Sequence, residues 1–107
     1  MPHEGSRTDL DSLFLSRVRL GIMSALAGGD ELDFTFLKGV LGTSDGNLGA
    51  HLRRLEEAGM IQVHKRFVGR RPKTSYSMTD LGQKTFGTYV GNLAQLLGLQ
   101  QGNEDTA

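Results

Sequence analysis

The hydrophobic period of this 107-residue chain changes from helical to alternating near residue 60 and returns to helical near residue 80. Before the change, apolar side chains recur at steps of three and four, which is typical of amphipathic helices. Ile61, Val63 and Phe67 then alternate with polar residues, which is typical of a strand. Helices followed by strands and one more helix predict a mainly α fold with a small β-hairpin (α+β).

Three helices are predicted before residue 60, each with a polar cap at its start and a glycine beyond its end. The predicted N-caps are Ser16, Asp33 and Ser44, and the terminating glycines are Gly28-Gly29, Gly42 and Gly59. The predicted apolar faces contain Leu15, Val18, Ile22 and Leu26 in the first helix, Phe34, Leu37 and Leu41 in the second, and Leu48, Leu52 and Leu55 in the third.

A β-hairpin and a long helix are predicted after residue 60. Residues 68–73, VGRRPK, form a turn-like segment with glycine and proline, and a second strand follows from Thr74 to Met78. Thr79 is the predicted cap of a final helix that runs from Asp80 to about Leu97. This order of elements is that of a winged helix-turn-helix, in which the second helix of the pair lies in the major groove of DNA.

The rest of the sequence restricts the class of protein. Residues 1–9 are expected to form a flexible leader, residues 10–98 the folded domain, and residues 99–107 a disordered tail. The chain has no cysteine, which excludes disulfides and thiolate zinc sites, and no apolar run is long enough to span a membrane. We therefore expect a cytoplasmic protein without a metal or cofactor, and nothing in the sequence indicates an enzyme.

The formal charge of the chain is zero, but the charges are unevenly distributed. From His51 to Ser75 there are seven basic residues and two acidic ones, a net charge of +5, and the remainder carries −5. Such asymmetry is typical of a surface that meets a polyanion. The alternative is a solvated charged surface, and the basic hairpin tip could merely protect a sheet edge.

The basic segment coincides with the two elements that a winged helix presents to DNA. We predict a recognition helix at residues 44–58 in the major groove and a wing at residues 68–73 on the minor groove. Asn can bond adenine edges, Arg can bond guanine or phosphate, and cations suit a narrow minor groove. The predicted DNA-binding residues are Ser44, Asn47, Ala50, His51, Arg54, Arg70, Arg71 and Lys73.

Three segments resemble a known family. NLGAHLRRLEEAGMIQV resembles the recognition helix of small MarR/ArsR-type winged-helix regulators, RRPKTSYSMTDLGQKTF their wing and last helix, and SRVRLGIMSALA their first helix. PadR-type regulators are close neighbours. The resemblance implies a dimeric transcriptional regulator of bacterial or archaeal type that binds double-stranded DNA, with repression as the expected mode. Gly49 stands where the family often has serine, and the cysteine metal-sensing motif of many ArsR-type proteins is absent.

The last helix predicts a homodimer. Gly82, Gly87 and Gly91 each cost about 0.5–1 kcal/mol relative to alanine inside a helix, so close helix crossing is expected to offset them. The apolar face is also wider than one small core needs. We predict that the first and last helices pair across a twofold axis. The predicted interface residues are Leu13, Phe14, Phe86, Tyr89, Val90, Leu93, Leu96 and Leu97.

The principal hypothesis is a regulator that binds a near-palindromic operator as a homodimer. The alternative from another class is a winged-helix protein–protein interaction module without DNA binding. A weaker alternative adds a small-molecule effector between the first and last helices, although no polar cluster identifies one. A metal site that includes His51 and His64 is disfavoured, because the histidines have no ligand-like spacing.

Overall fold

The computed structural model describes residues 12–99. Its helices are α1 (Arg17–Leu26), α2 (Phe34–Leu41), α3 (Asp45–Glu57) and α4 (Asp80–Leu96). Its strands are β1 (Leu32–Asp33), β2 (Ile61–Val68) and β3 (Arg71–Met78). This order is a winged helix fold with a long C-terminal helix, which confirms the predicted architecture. The expected leader at residues 1–9 and most of the expected tail lie outside the described residues.

Each helix begins at the predicted cap. The Ser16 hydroxyl accepts a hydrogen bond from the amide of Arg19, and Asp33, Ser44 and Thr79 cap the next three helices in the same way. Such caps satisfy amides that have no partner within the helix. The turn between α2 and α3 is allowed by Gly42, whose φ of 61° lies in the left-handed region.

The sheet is antiparallel, with strand order β1–β3–β2. Ile61 pairs with Met78 at one end of the β2–β3 hairpin, and Val68 pairs with Arg71 at the other. Strand β1, which pairs with Ser75 and Tyr76, was not predicted, because two residues are too few for a period to be recognised. Strand β3 also starts earlier than predicted, at Arg71 instead of Thr74, since the connection contains only Gly69 and Arg70.

The core lies between the helices and one face of the hairpin. The stripe of α3 is buried as predicted, with Leu48 and Leu55 fully inaccessible. Two residues that were expected on apolar faces are exposed instead: Leu15 by 71% and Phe67 by 72%. Leu15 precedes the cap of α1, so it does not follow the helical period. Phe67 lies where the hairpin extends beyond the core.

Gly82 marks the closest approach of α4 to the sheet. A Cβ at this position would lie 2.1 Å from the carbonyl oxygen of Met60 and 2.8 Å from Cγ of Met78. The same carbonyl accepts a hydrogen bond from the amide of Thr79 at 3.1 Å, and the Thr79 hydroxyl donates to the adjacent carbonyl of Gly59 at 2.6 Å. The close crossing expected at the glycines of α4 therefore occurs at Gly82 within one chain.

The other glycines of α4 have a different environment. A Cβ at Gly87 or Gly91 would meet no atom within 4 Å. Gly91 is nine residues from Gly82, which places it on the opposite side of the helix.

Within residues 12–99, no helix is both long enough and apolar enough to cross a membrane.

Candidate nucleic-acid interface

The start of α3 is organised by short polar contacts. The Ser44 hydroxyl accepts a hydrogen bond from the Asn47 amide at 3.1 Å, and Nδ2 of Asn47 donates to Oγ1 of Thr43 at 2.6 Å. Asp45 forms an ion pair with Lys38 at 2.7 Å and complements the helix dipole. Ser44 and Asn47, both predicted to contact DNA, thus already have partners that fix the first turn.

The outer face of α3 is open and partly basic. Asn47, Ala50 and Arg54 are exposed, as predicted, and Arg53 is exposed beside them. A Cβ at Gly46 or Gly49 would meet nothing within 4 Å. Another macromolecule can therefore approach the backbone of this helix closely. Arg53 was not among the predicted site residues, although its spacing from the buried leucines already placed it away from the core.

His51 lies at the edge of this face and contacts α1. Its Nδ1 is 3.0 Å from a terminal guanidinium nitrogen of Arg19, whose Nε donates to the carbonyl oxygen of Leu13 at 2.7 Å. Burial, and then the charge of Arg19, lower the pKa of His51. Arg19 was missed in the sequence analysis, because residues 32 positions apart gave no sign of being neighbours.

The wing projects two arginines from a tight connection. Gly69 has a φ of 66°, which glycine adopts without strain, and Arg70 completes the two-residue loop. Arg71 is exposed in the last pair of the hairpin. The predicted wing at residues 68–73 is therefore mostly strand, and only Gly69 and Arg70 form its tip. Phe67 and Val68, 72% and 57% exposed, add apolar surface beside these cations.

Lys73 does not extend from the tip, because it pairs with Asp33 at 3.3 Å. Arg66 pairs similarly with Glu31 at 2.8 Å. A hydrogen bond from Ser75, and then the charges of Arg66 and His64, lower the pKa of Glu31. The two charge regions inferred from the sequence are thus less separate than expected, since two acidic residues lie against the wing and fix its base.

The residues predicted at a dimer interface fall into two groups. Leu13, Phe14 and Phe86 are buried within the chain, where the rings of Phe14 and Phe86 pack edge to face with centroids 5.3 Å apart. The half-buried Tyr89 packs on Phe14 with centroids 5.2 Å apart. These residues belong to the chain's own core or pack against it.

The second group forms an exposed apolar surface on α4. It extends to Leu99, whose amide donates to the carbonyl of Ala94 at 2.8 Å although this residue was expected in the tail. This α4 surface consists of Val90, Leu93, Leu96, Leu97 and Leu99, exposed by 37–81%.

The histidines do not form a metal site in the described part of the chain. His51 faces Arg19, while Nε2 of His64 lies 2.8 Å from the hydroxyl of Ser77. Among residues 12–99, no three side chains of histidine or carboxylate type are grouped as metal ligands would be.

Comparison with known proteins shows the family to which this fold belongs. The winged helix DNA-binding domain family matches residues 18–97. The chain belongs to this family. The protein MJ0432 of Methanocaldococcus jannaschii is 37% identical over 84 residues, which cover 78% of this chain and 91% of that protein.

Two solved structures extend the comparison to transcriptional regulators. A transcriptional regulator homologue from Pyrococcus horikoshii OT3 is 31% identical, with a TM-score of 0.75 over 84% of this chain and 90% of that chain. A MarR-family regulator from Enterococcus faecalis V583 is 20% identical, with a TM-score of 0.75 over 89% of this chain and 84% of that chain, and thus shares the fold. The chain is therefore a winged helix DNA-binding domain with the fold of MarR-family transcriptional regulators.

Proposed function

We propose that this protein is a transcriptional regulator, acting by repression, that binds a near-palindromic operator as a homodimer. In this proposal the recognition helix at residues 44–58 enters the major groove and the wing at residues 68–73 meets the minor groove. The observation that carries the proposal is the open outer face of α3, where small residues lie beside the exposed Arg53 and Arg54. A buried or acidic face at this position would not accept DNA.

The major-groove contacts are assigned to α3 and the minor-groove contacts to the wing. Arg54 is suited to guanine or phosphate, and the Oδ1 atom of Asn47 can accept a bond from an adenine or cytosine amino group. Arg70 and Arg71 are suited to the negative potential of a narrow minor groove. Lys73 acts through its ion pair with Asp33, which holds the base of the wing.

Dimerisation is assigned to the α4 surface. Leu96 and Leu97 are 81% and 62% exposed. Contiguous exposed apolar patches commonly mark interaction sites. The exposed Leu15 lies between the buried Phe14 and the cap of α1, and it adds apolar area outside α4. A twofold dimer would place two recognition helices about one DNA turn, about 34–36 Å, apart.

DNA binding is tested by gel shift on the protein's own upstream region. Arg70→Ala with Arg71→Ala is expected to weaken binding, because both cations are exposed at the wing. Lys84→Ala, which removes an exposed cation from α4, is the control and is expected to bind as the wild type does. Unchanged binding by the arginine double variant would remove the wing from the proposal.

Genome-wide selection of bound fragments tests the function as a whole. Recovery of near-palindromic fragments would support a dimeric regulator, and transcription from a recovered promoter would then distinguish repression from activation. If the wild type bound no genomic DNA, the alternative of a protein–protein interaction module would be favoured. Light scattering at micromolar concentration that showed only an 11.6 kDa species would contradict the homodimer.

A further inference from the structure

The contact between Arg19 and His51 joins α1 to the recognition helix. The guanidinium of Arg19 is held on two sides, since Nε donates to the Leu13 carbonyl at 2.7 Å and a terminal nitrogen lies 3.4 Å from the Ser12 carbonyl. Its other terminal nitrogen lies 3.0 Å from Nδ1 of His51. A guanidinium has five N–H donors in a fixed planar arrangement, so the bonds of Nε and one terminal nitrogen orient the group, and the other terminal nitrogen donates to the imidazole.

This contact determines which ring nitrogen of the neutral His51 carries the proton. Arginine is always protonated in proteins and cannot accept a hydrogen bond. Nδ1 of His51 must therefore be the acceptor, and the proton of the neutral ring must be on Nε2. The charged group that acts on this ring is Arg19 from α1, and Arg54 on α3 itself acts on Arg19. Burial and the positive charge of Arg19 therefore oppose a second proton on the ring.

We infer that Arg19 is a positioning residue that holds His51 as a neutral Nε2–H donor, so that the recognition helix requires a hydrogen-bond acceptor at the matching position of the operator. This inference rests on the proposed DNA-binding function. The acceptors that DNA offers are the N7 atoms of purines, O6 of guanine, O4 of thymine and the phosphate oxygens. The opposite tautomer would present an acceptor and would instead suit the amino groups of adenine or cytosine.

The first test is the tautomer in the free protein, measured by nitrogen-15 NMR of the histidine rings. At pH 8, His51 is expected to show an unprotonated Nδ1 and a protonated Nε2. In Arg19→Met the pKa of His51 is expected to rise and the two tautomers to mix, whereas Arg19→Lys, which retains a donor, should preserve part of the preference. A protonated Nδ1 in the wild type at pH 8 would overturn the inference, and this result does not depend on any variant folding.

The second test is the pH profile of DNA binding. Between pH 8 and pH 6, wild-type affinity is expected to change less through His51 than that of Arg19→Met, because burial and the charge of Arg19 lower the pKa of this ring. The DNA affinity of Arg19→Met should rise above its pH 8 value as the pH falls, because a protonated His51 attracts DNA. Adding His51→Gln, which cannot titrate, should remove this dependence. If Arg19→Met lowered affinity by the same factor at every pH, Arg19 would have a merely structural role, and this result would contradict the inference.

The third test identifies the acceptor. His51→Ala is expected to weaken binding about three- to tenfold, as expected for one neutral hydrogen bond, and His51→Gln should restore part of the loss through its amide donor. Operators with 7-deazapurines test N7, operators with 2-aminopurine for guanine or 5-methyl-2-pyrimidinone for thymine test O6 and O4, and operators with single methylphosphonate linkages test the phosphates. One of these changes should weaken wild-type binding by a larger factor than it weakens the binding of His51→Ala.

The outcomes separate the two levels of the proposal. If the protein bound no DNA, both the proposed function and this role of His51 would fail. If it bound DNA but His51→Ala bound as tightly as the wild type, or every modified operator weakened the wild type and His51→Ala by the same factor, only the inference would fail.

Discussion

The contact between Gly82 and the Met60 carbonyl predicts that one added methyl group destabilises the protein. In Gly82→Ala the new Cβ would lie 2.1 Å from a backbone oxygen and 2.8 Å from Met78. The oxygen cannot easily retreat, because the amide of Thr79 donates to it and the hydroxyl of Thr79 donates to the adjacent carbonyl of Gly59. Overpacking costs about 1–3 kcal/mol, and a contact with backbone belongs at the upper end of that range. Alanine recovers about 1 kcal/mol of helix propensity.

The expected net loss is therefore about 2 kcal/mol in the free energy of unfolding. For a domain of this size, a loss of about 2 kcal/mol lowers Tm by about 8–16 °C. The matched control is Gly91→Ala on the opposite side of α4, where nothing lies within 4 Å of the added atom. This variant is expected to raise stability by about 0.5–1 kcal/mol.

Thermal unfolding followed by circular dichroism at one fixed protein concentration measures both changes. If Gly82→Ala were as stable as Gly91→Ala, the close packing of α4 on the start of β2 would be refuted. The fixed concentration matters because a dimer's Tm depends on it.

Three further predictions concern the cap of α3, the base of the wing and the salt dependence of binding. Ser44→Ala is expected to lower the free energy of unfolding by about 1 kcal/mol in urea titrations, whereas Ser24→Ala on the exposed side of α1 should not lower it. The pKa of Glu31 is below its usual value of 4.5, so its contribution to stability is present above that pH and is lost as the pH falls through the folded-state value. Glu31→Gln should therefore lose less stability than the wild type between pH 7 and pH 3, and equal losses would contradict this. If each subunit meets about three phosphates, affinity should fall about a thousandfold between 50 and 200 mM salt, and a flat response in fluorescence anisotropy would exclude the proposed electrostatic contacts.

Local signals in the sequence were sufficient to predict the helices. Caps such as Ser44 and Thr79 act on amides three residues away, and the stripe of Leu48, Leu52 and Leu55 repeats within one helix. Both signals are short-range, so they could be recognised without knowledge of the fold. For the same reason the exposed outer face of α3 was predictable once its buried face was known.

The base of the wing could not be predicted in this way. Whether Lys73 contacts DNA or Asp33 depends on β1, a strand of two residues that forms only because β3 lies beside it. The separation of charge into two regions was likewise a property of the linear sequence. Folding brings Glu31 and Asp33 from the acidic part against the basic hairpin.

The dimer residues show the same division between local pattern and packing. The period of α4 correctly grouped Phe86 with Leu93 on one apolar face, but it could not say which of them the chain buries by itself. Phe86 meets Phe14 and Tyr89 inside the core, and Leu93 lies farther along the helix, where it is 37% exposed.

By itself, the sequence determined the fold class, the helix starts and the two elements that a winged helix presents to DNA, because capping and periodicity act within a few residues. The tertiary structure alone decided which cations stay unpaired at the wing, which glycine touches backbone, and that Arg19 meets His51 across 32 positions. These depend on contacts between distant segments, whose partners are set by how the elements pack.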